Sequence, residues 1–183
     1  MASELWDVYD SQGNITGRTK TSDDIFCDGE YHLIASLWII NTKGEALIQK
    51  RAQTKRINPG MWNITGGSVN AGESSVNACV REVAEEIGLY FDPHDIMLLS
   101  RSFGKKYNFK ECIFDDYIIL RDCSISDAIL QSDEVSEIRW ASMEDIVNLF
   151  HAGQFMFDDM GELDKVMAYI FKVTGPDIRR LAI

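Results

Sequence analysis

Residues 67–89 read GSVNAGESSVNACVREVAEEIGL, and this stretch decides the fold. Ser74 through Ile87 has the periodicity of an amphipathic helix. Ser74 or Ser75 can cap its start, and Gly88 can end it in the left-handed conformation that suits glycine. At about 100° per residue, Cys79, Val83, Val76, Ile87, Val80 and Ala84 share one arc of roughly 140°. Glu82, Glu85 and Glu86 fall in a second arc beside it, roughly 100° wide. Such a helix buries its first arc and carries three carboxylates along the border. Like charges on adjacent turns repel, by roughly a few tenths of a kcal/mol per exposed pair, and Arg81, four residues before Glu85, offsets one of them. The stripe is either a solvated acidic face or a site for a hard cation, because carboxylates this close suit Mg²⁺ or Mn²⁺ with retained water.

Outward from the helix, strands and helices are interspersed. On the N-terminal side, Pro59-Gly60-Met61-Trp62 and Gly66-Gly67 mark irregular loops around Asn63-Ile64-Thr65. Tyr31 to Ile40 and Ala46 to Gln49 flank Asn41-Thr42-Lys43-Gly44-Glu45, a hairpin pattern. Leu5 to Arg18, with Asp10-Ser11-Gln12-Gly13-Asn14 at its centre, predicts a second hairpin within an N-terminal region of about residues 4–30. On the C-terminal side, strands are expected around Ile96 to Ser102 and Ile113 to Leu120, with a further one at Glu137 to Trp140. Met143 to Phe150 has helical periodicity, as does a C-terminal segment of about residues 162–173. Regular βαβ alternation is missing, so an α/β (α+β) domain with a mixed sheet packed between helices is expected. No repeat, low-complexity stretch or linker divides residues 1–183, which predicts a single domain.

Charge and hydropathy narrow the partners. Eighteen Lys+Arg against 29 Asp+Glu give a formal net charge of −11. That balance argues against coating nucleic acid or an anionic membrane, both of which select positive surface. The longest apolar run, Leu33 to Ile40, has the length of a strand and not the roughly 20 residues of a membrane span. MASELWDVYD has neither the basic flank nor the apolar core of a secretory signal, so a soluble, cytoplasmic protein is expected. Cys27, Cys79, Cys112 and Cys123 stand apart, with no C-x-x-C and no nearby histidine, which predicts neutral thiols and neither a zinc site nor a disulfide framework.

Gly67, Glu73, Arg81-Glu82-Val83, Glu85-Glu86 and Gly88-Leu89 match, at every position, the box G-x5-E-x7-R-E-U-x-E-E-x-G-U (U, a bulky aliphatic). With residue usage of roughly 6%, seven fixed positions and two aliphatic ones arise by chance in fewer than about one chain in a million. On this box the chain resembles the Nudix hydrolases. The resemblance implies a Nudix α/β/α sandwich and hydrolysis of a diphosphate linkage with Mg²⁺ or Mn²⁺. It implies Glu82, Glu85 and Glu86 as metal ligands, with the backbone carbonyl of Gly66 as a further oxygen. Arg81 is then expected to orient the carboxylates, and Glu73 to pair with Arg81. Metal ions neutralise a diphosphate and acidify a bound water, and a carboxylate takes the water's proton as it attacks phosphorus. Homodimers are common in the family, and the sequence itself carries no signal on assembly.

The resemblance extends outward. Asp7-Val8-Tyr9-Asp10, Gly29-Glu30-Tyr31-His32, Gln49-Lys50-Arg51, Lys55 and Pro59-Gly60-Met61-Trp62 look like type I isopentenyl-diphosphate isomerase and its hydrolase-like relatives. That isomerase lacks an intact box and needs a cysteine and a metal-binding histidine after Pro-Gly-x-Trp. Here the loop reads Asn63-Ile64-Thr65-Gly66-Gly67-Ser68-Val69-Asn70, with Gly66 about where the cysteine belongs, so hydrolase is favoured over isomerase. A non-catalytic binding module is the other alternative, and three intact glutamates speak against it. By the same resemblance Arg51 and Lys55 clamp substrate phosphates, and His32 lies near the site. Asp115, an acid in an apolar strand, and Glu134, before the last strand, are further candidates for metal ligand or base. Trp38, Trp62 and Tyr107 are candidates for stacking on a base, against the commoner role of core aromatics. The expected partner is a small diphosphate, either a nucleoside diphosphate bearing a further group or a nucleoside di- or triphosphate.

Overall fold

The computed structural model describes residues 3–106, 110–156 and 160–174. Tyr107 therefore lies outside the described residues. β1 (Leu5–Tyr9) and β2 (Ile15–Thr21) form the expected N-terminal hairpin as a separate two-stranded sheet. The main sheet is organised on β3 (His32–Ile40). Leu33, Ala35, Leu37 and Ile39 pack on one face, while Trp38 and Ile40 pack on the other. Side chains alternate across a strand, so the run from Leu33 to Ile40, apolar at every position but Ser36, means that both faces are covered.

β4 (Ala46–Arg51) follows a hairpin at Ile40↔Ala46 and then diverges from β3. It pairs instead with β5 (Trp62–Asn63) and β9 (Val135–Ala141). The edge of β3 left by β4 is taken by β6 (Thr65–Ser68), from Ile34↔Ser68 to Leu37↔Thr65. On the opposite edge β8 (Lys110–Leu120) runs parallel to β3, and β7 (Met97–Lys106) lies antiparallel beyond it. The sheet is mixed, as its irregular order in the sequence predicts. Pro59 to Met61 is irregular as expected, whereas β5 and β6 replace the loop expected from Trp62 to Gly67. Their glycines serve close approach between strands and not chain reversal: a Cβ on Gly66 would stand 2.5 Å from the Ala35 carbonyl oxygen and 2.7 Å from Ser36 Cα.

α1 (Ser75–Ile87) covers the face of Leu33, Ala35 and Leu37 through Cys79, Val83 and Ile87. Ser74 caps it by accepting from the Asn77 amide, and Gly88 ends it at φ 71°. Two carbonyls of its last turn receive amides from a crossing loop, Ile87 from Ile129 (3.0 Å) and Glu86 from Gln131 (2.9 Å). α2 (Met143–His151) and α3 (Gly161–Thr174) cover the other face with Ile146, Leu163 and Val166, completing an α/β/α sandwich. No helix among the described residues is long and apolar enough to cross a membrane. Cys79 and Cys112 are buried, Cys27 is exposed, Cys123 is half-buried, and all four are free thiols.

One of the two adjacent acids of β8 is committed to the fold. Asp115 is 1% exposed, and both its oxygens accept from Arg101 on the neighbouring strand, at 2.6 Å from Nε and 2.7 Å from Nη2. Removing the arginine strands a buried charge, which costs about 3 kcal/mol or more. Arg101→Met is therefore expected to lower urea stability by about that amount. Asp115→Asn in the same chain should recover most of it. A loss no larger than that of an ordinary surface substitution would show that the pair contributes little.

Candidate active site

The box is held together by Arg81. Its Nε and Nη2 donate to the two oxygens of Glu73, each at 3.0 Å, and Nη2 also reaches the Ser68 carbonyl at 3.0 Å. Its Nη1 donates to Glu82 (2.7 Å) and to Glu85 (3.1 Å). Burial opposes the charge on Arg81, but the bonds from Glu73 and Glu82 more than offset it and push the pKa up, so the guanidinium stays cationic. One arginine thus ties the loop after β6, the start of α1 and two of its carboxylates into a unit. The structure brings Arg81 and Glu73 together as the resemblance implies.

The three helix carboxylates are not equivalent. Glu85 is exposed, at 55% of its side chain, whereas the Glu82 side chain is only 13% exposed. The Glu82 carboxylate lies directly on Gly67, where a Cβ would stand 2.3 Å from Glu82 Cδ. This contact explains why the box starts with a residue that has no side chain. Glu86 is buried, although the helical wheel places it on the polar border. The loop through Ile129 and Gln131 folds over this end of α1, and β4 brings Gln49 to its carboxylate, with Nε2 donating to Oε2 at 2.7 Å.

Glu86 carries the largest electrostatic cost of the group. Burial pushes its pKa up to about 7, the charges of Glu82 and Glu134 add to the rise, and the bond from Gln49 and the charge of Arg51 oppose it. Burial also raises Glu82, against Arg81. Arg51 and Glu134 therefore stand close enough to Glu86 to act on it, and Lys55 is ion-paired with Glu134 across two loops. Arg51 also donates from Nε to the Ile57 carbonyl, at 3.1 Å. Six of the residues singled out in the sequence, Glu82, Glu85, Glu86, Arg51, Lys55 and Glu134, are linked in this way through Arg81 or through the field at Glu86.

Others lie elsewhere. His32 is 3% exposed and stacks on Trp6, with ring centroids 4.4 Å apart and Cys112 Sγ 3.5 Å from its Nδ1, so it is packed among core residues. Asp115 is occupied by Arg101. Trp38 is fully buried and donates from Nε1 to Glu162 at 2.8 Å. Trp62 is 7% exposed, with the Lys50 ammonium 5.5 Å and the Arg139 guanidinium 4.9 Å from its ring centroid, which makes it a packed core aromatic too. Gln49 and Thr65 were not evident as site residues. Their signal was a glutamine on the side of β4 that also carries Leu47, the side facing the core under α1.

The expected ligand set is not gathered into a cage. Among the described residues, no three His, Cys, Asp or Glu side chains come together closely enough to hold a metal ion. Glu82 and Glu85 are both drawn to Arg81. The donor chemistry nevertheless fits a hard divalent cation: every side-chain ligand on offer is a carboxylate, and Glu86 is buried without a neutralising ion pair among the described residues. In the metal-free protein this has a pH signature. A carboxyl held at about 7 when folded, against 4.5 otherwise, favours the folded state most below pH 4.5 and loses that contribution as pH rises through 7. The loss is about 3 kcal/mol. In EDTA, urea stability of the wild type should therefore fall by about 3 kcal/mol more than that of Glu86→Gln between pH 4.5 and 8. Parallel profiles would contradict the burial argument.

A mixed sheet between helices thus carries an Arg-tethered glutamate helix, with Arg51 acting on its buried end. A family model for the NUDIX domain matches residues 30–158, and the chain belongs to the Nudix hydrolases, enzymes that act on phosphoric anhydride bonds. It is similar to an uncharacterised Nudix hydrolase of Listeria monocytogenes, 36% identical over 155 residues that cover 84% of this chain and 88% of that one. It is also similar to the isopentenyl-diphosphate Delta-isomerase of Escherichia coli, 26% identical over 160 residues, covering 86% of this chain and 87% of the isomerase. The solved structure of DR0079 from Deinococcus radiodurans superposes with a TM-score of 0.69 at 19% identity, covering 97% of this chain and 99% of that one, a likeness of fold.

Proposed function

We propose that the protein hydrolyses a diphosphate linkage in a nucleoside diphosphate derivative or a nucleoside di- or triphosphate, with Mg²⁺ or Mn²⁺ as cofactor. The observation that carries this reading is Glu86, a buried carboxylate that no ion pair among the described residues neutralises and on which the charges of Glu82 and Glu134 act. Glu82, Glu85, Glu86 and the Gly66 carbonyl would hold the cation, and Arg81 ties the helix carboxylates to the end of β6, the strand that carries Gly66 and Gly67. When bound, the metal supplies neutralisation of the diphosphate and a lowered pKa for a coordinated water. Arg51, which acts on Glu86, and Lys55, paired with Glu134, bind phosphate oxygens, Lys55 exchanging its ion pair with Glu134 for one with substrate. Release of Glu134 leaves a carboxylate free to accept the proton of the attacking water.

The packing of Gly66 disfavours the isomerase alternative. The position about where that enzyme carries its cysteine has no room for a Cβ, because the Ala35 carbonyl and Ser36 occupy the space. A substrate panel of nucleoside diphosphate sugars, dinucleotides and nucleoside triphosphates, assayed with Mg²⁺ or Mn²⁺, tests the proposal. Turnover of at least one class that stops on adding EDTA and returns with excess metal is the expected result. Turnover unaffected by EDTA, or none on any diphosphate, overturns it.

A further inference from the structure

Among the described residues Glu86 differs from the other glutamates of α1 in what holds it: Glu82 and Glu85 are bonded to the cationic Arg81, Glu86 to the neutral Gln49. Gln49 is itself bonded in turn. Its Oε1 stands 3.1 Å from Thr65 Oγ1, and Gln49 and Thr65 are 3% and 2% exposed. The chemistry of the three groups sets the direction of both bonds. An ionised carboxylate only accepts, so the amide NH₂ of Gln49 faces Glu86. Its carbonyl oxygen then faces Thr65, and a hydroxyl meeting an acceptor must donate. Both ends of this chain rest on paired backbone: Gln49 pairs with Asn63 and Ile138, and Thr65 with Leu37.

We infer that Thr65 and Gln49 are a positioning pair for Glu86: the threonine hydroxyl locks the glutamine amide, and the amide fixes one carboxylate oxygen while leaving the other, and the full negative charge, for the catalytic cation. The inference rests on the metal-dependent reading of the site and specifies how that site is kept ready. A lysine or arginine at position 49 would also orient Glu86 but would neutralise it, as Arg81 does for its partners. An aliphatic residue would suit the buried side of β4 and leave the carboxylate without a donor. Glutamine meets both needs, and its own carbonyl then requires a donor that adds no positive charge, which the Thr65 hydroxyl provides. Without that hydroxyl the amide can turn its oxygen towards Glu86, a repulsive arrangement.

Manganese binding to the metal-free protein, followed by electron paramagnetic resonance without substrate, tests this directly. Loss of a partner that orients a ligand typically weakens metal binding by about 10- to 100-fold. Thr65→Val, nearly isosteric, should weaken Mn²⁺ binding by about tenfold, and Thr65→Ser, which restores the hydroxyl, should stay within about twofold of wild type. Gln49→Met should match Thr65→Val, and provides the same comparison if the valine variant fails to fold. In the Glu86→Gln background, Thr65→Val should have no further effect, since the threonine acts through that carboxylate. Weakened binding in Glu86→Gln with wild-type affinity in Thr65→Val and Gln49→Met overturns the positioning pair and leaves the metal assignment standing. Equal loss in Thr65→Val and Thr65→Ser also overturns it, since hydroxyl chemistry would then not matter. Wild-type affinity in Glu86→Gln overturns the metal assignment, and the positioning pair with it.

Discussion

Glu86→Gln is expected to lower kcat for diphosphate hydrolysis by about 10³-fold or more while making the metal-free protein more stable at pH 8. The two effects have one cause. Glu86 is buried beneath the loop through Gln131, with a neutral amide as its hydrogen-bond donor and two further carboxylates acting on it. Ionising it in the empty protein is costly, and an uncharged glutamine removes that cost. On the proposed function the same charge would attract a divalent cation, so its removal is expected to take away metal and catalysis together. A loss expressed in kcat, with the substrate KM little changed, is the pattern for a group that acts in the transition state and not in ground-state binding. Steady-state kinetics at saturating Mg²⁺, with urea unfolding in EDTA, tests both halves. A variant that is inactive and also less stable at pH 8 would mean that Glu86 serves the fold first.

Gly66→Ala and Gly67→Ala should separate stability from activity at adjacent positions. At Gly66 the new methyl would meet the Ala35 carbonyl oxygen at 2.5 Å and Ser36 Cα at 2.7 Å, and those atoms belong to the central strand. Backbone at the middle of a sheet cannot yield, so β6 must move off β3. Overpacking of this kind costs about 3 kcal/mol or more. At Gly67 the methyl meets the Glu82 carboxylate, 2.3 Å from its Cδ, which is the far end of a side chain with rotamers to spare. The fold should tolerate that change within about 1 kcal/mol, but displacing Glu82 by about 1 Å should cost about 10²-fold in kcat. Melting temperatures and kcat for the two variants distinguish them. Equal destabilisation at both sites would show that Glu82 is fixed as firmly as the backbone.

Much of the fold was legible because its signals are local. The caps at Ser74 and Gly88, the turn at Asn41 to Glu45 and the apolar run of β3 each sit within a few residues of what they determine. β5 and β6 were not, since Gly66 and Gly67 look like loop residues until the strand and the carboxylate they pack on are known. The box made Arg81, Glu73 and the helix glutamates recognisable, but not their inequality. Whether a glutamate is buried depends on a loop some 40 residues later in the chain, at Ile129 and Gln131, and no helical wheel contains it. Contacts such as Lys55 with Glu134 and Gln49 with Glu86 join distant segments whose register is set by tertiary packing. His32 and Asp115 have surroundings that the sequence did not show. Each has a residue type suited to a site, and each is absorbed by a neighbour, Trp6 or Arg101, that single-residue reasoning does not weigh.

Hydrolysis in ¹⁸O-labelled water, with mass analysis of the products, tests the central claim most directly. Attack of water on phosphorus, assisted by the Glu82, Glu85 and Glu86 carboxylates, predicts one ¹⁸O in a phosphoryl product, formed with Mg²⁺ or Mn²⁺ and lost in EDTA and in Glu86→Gln. Label in the carbon-bound oxygen of the leaving group, label incorporated equally by Glu86→Gln, or unlabelled dimethylallyl diphosphate formed from isopentenyl diphosphate would contradict it.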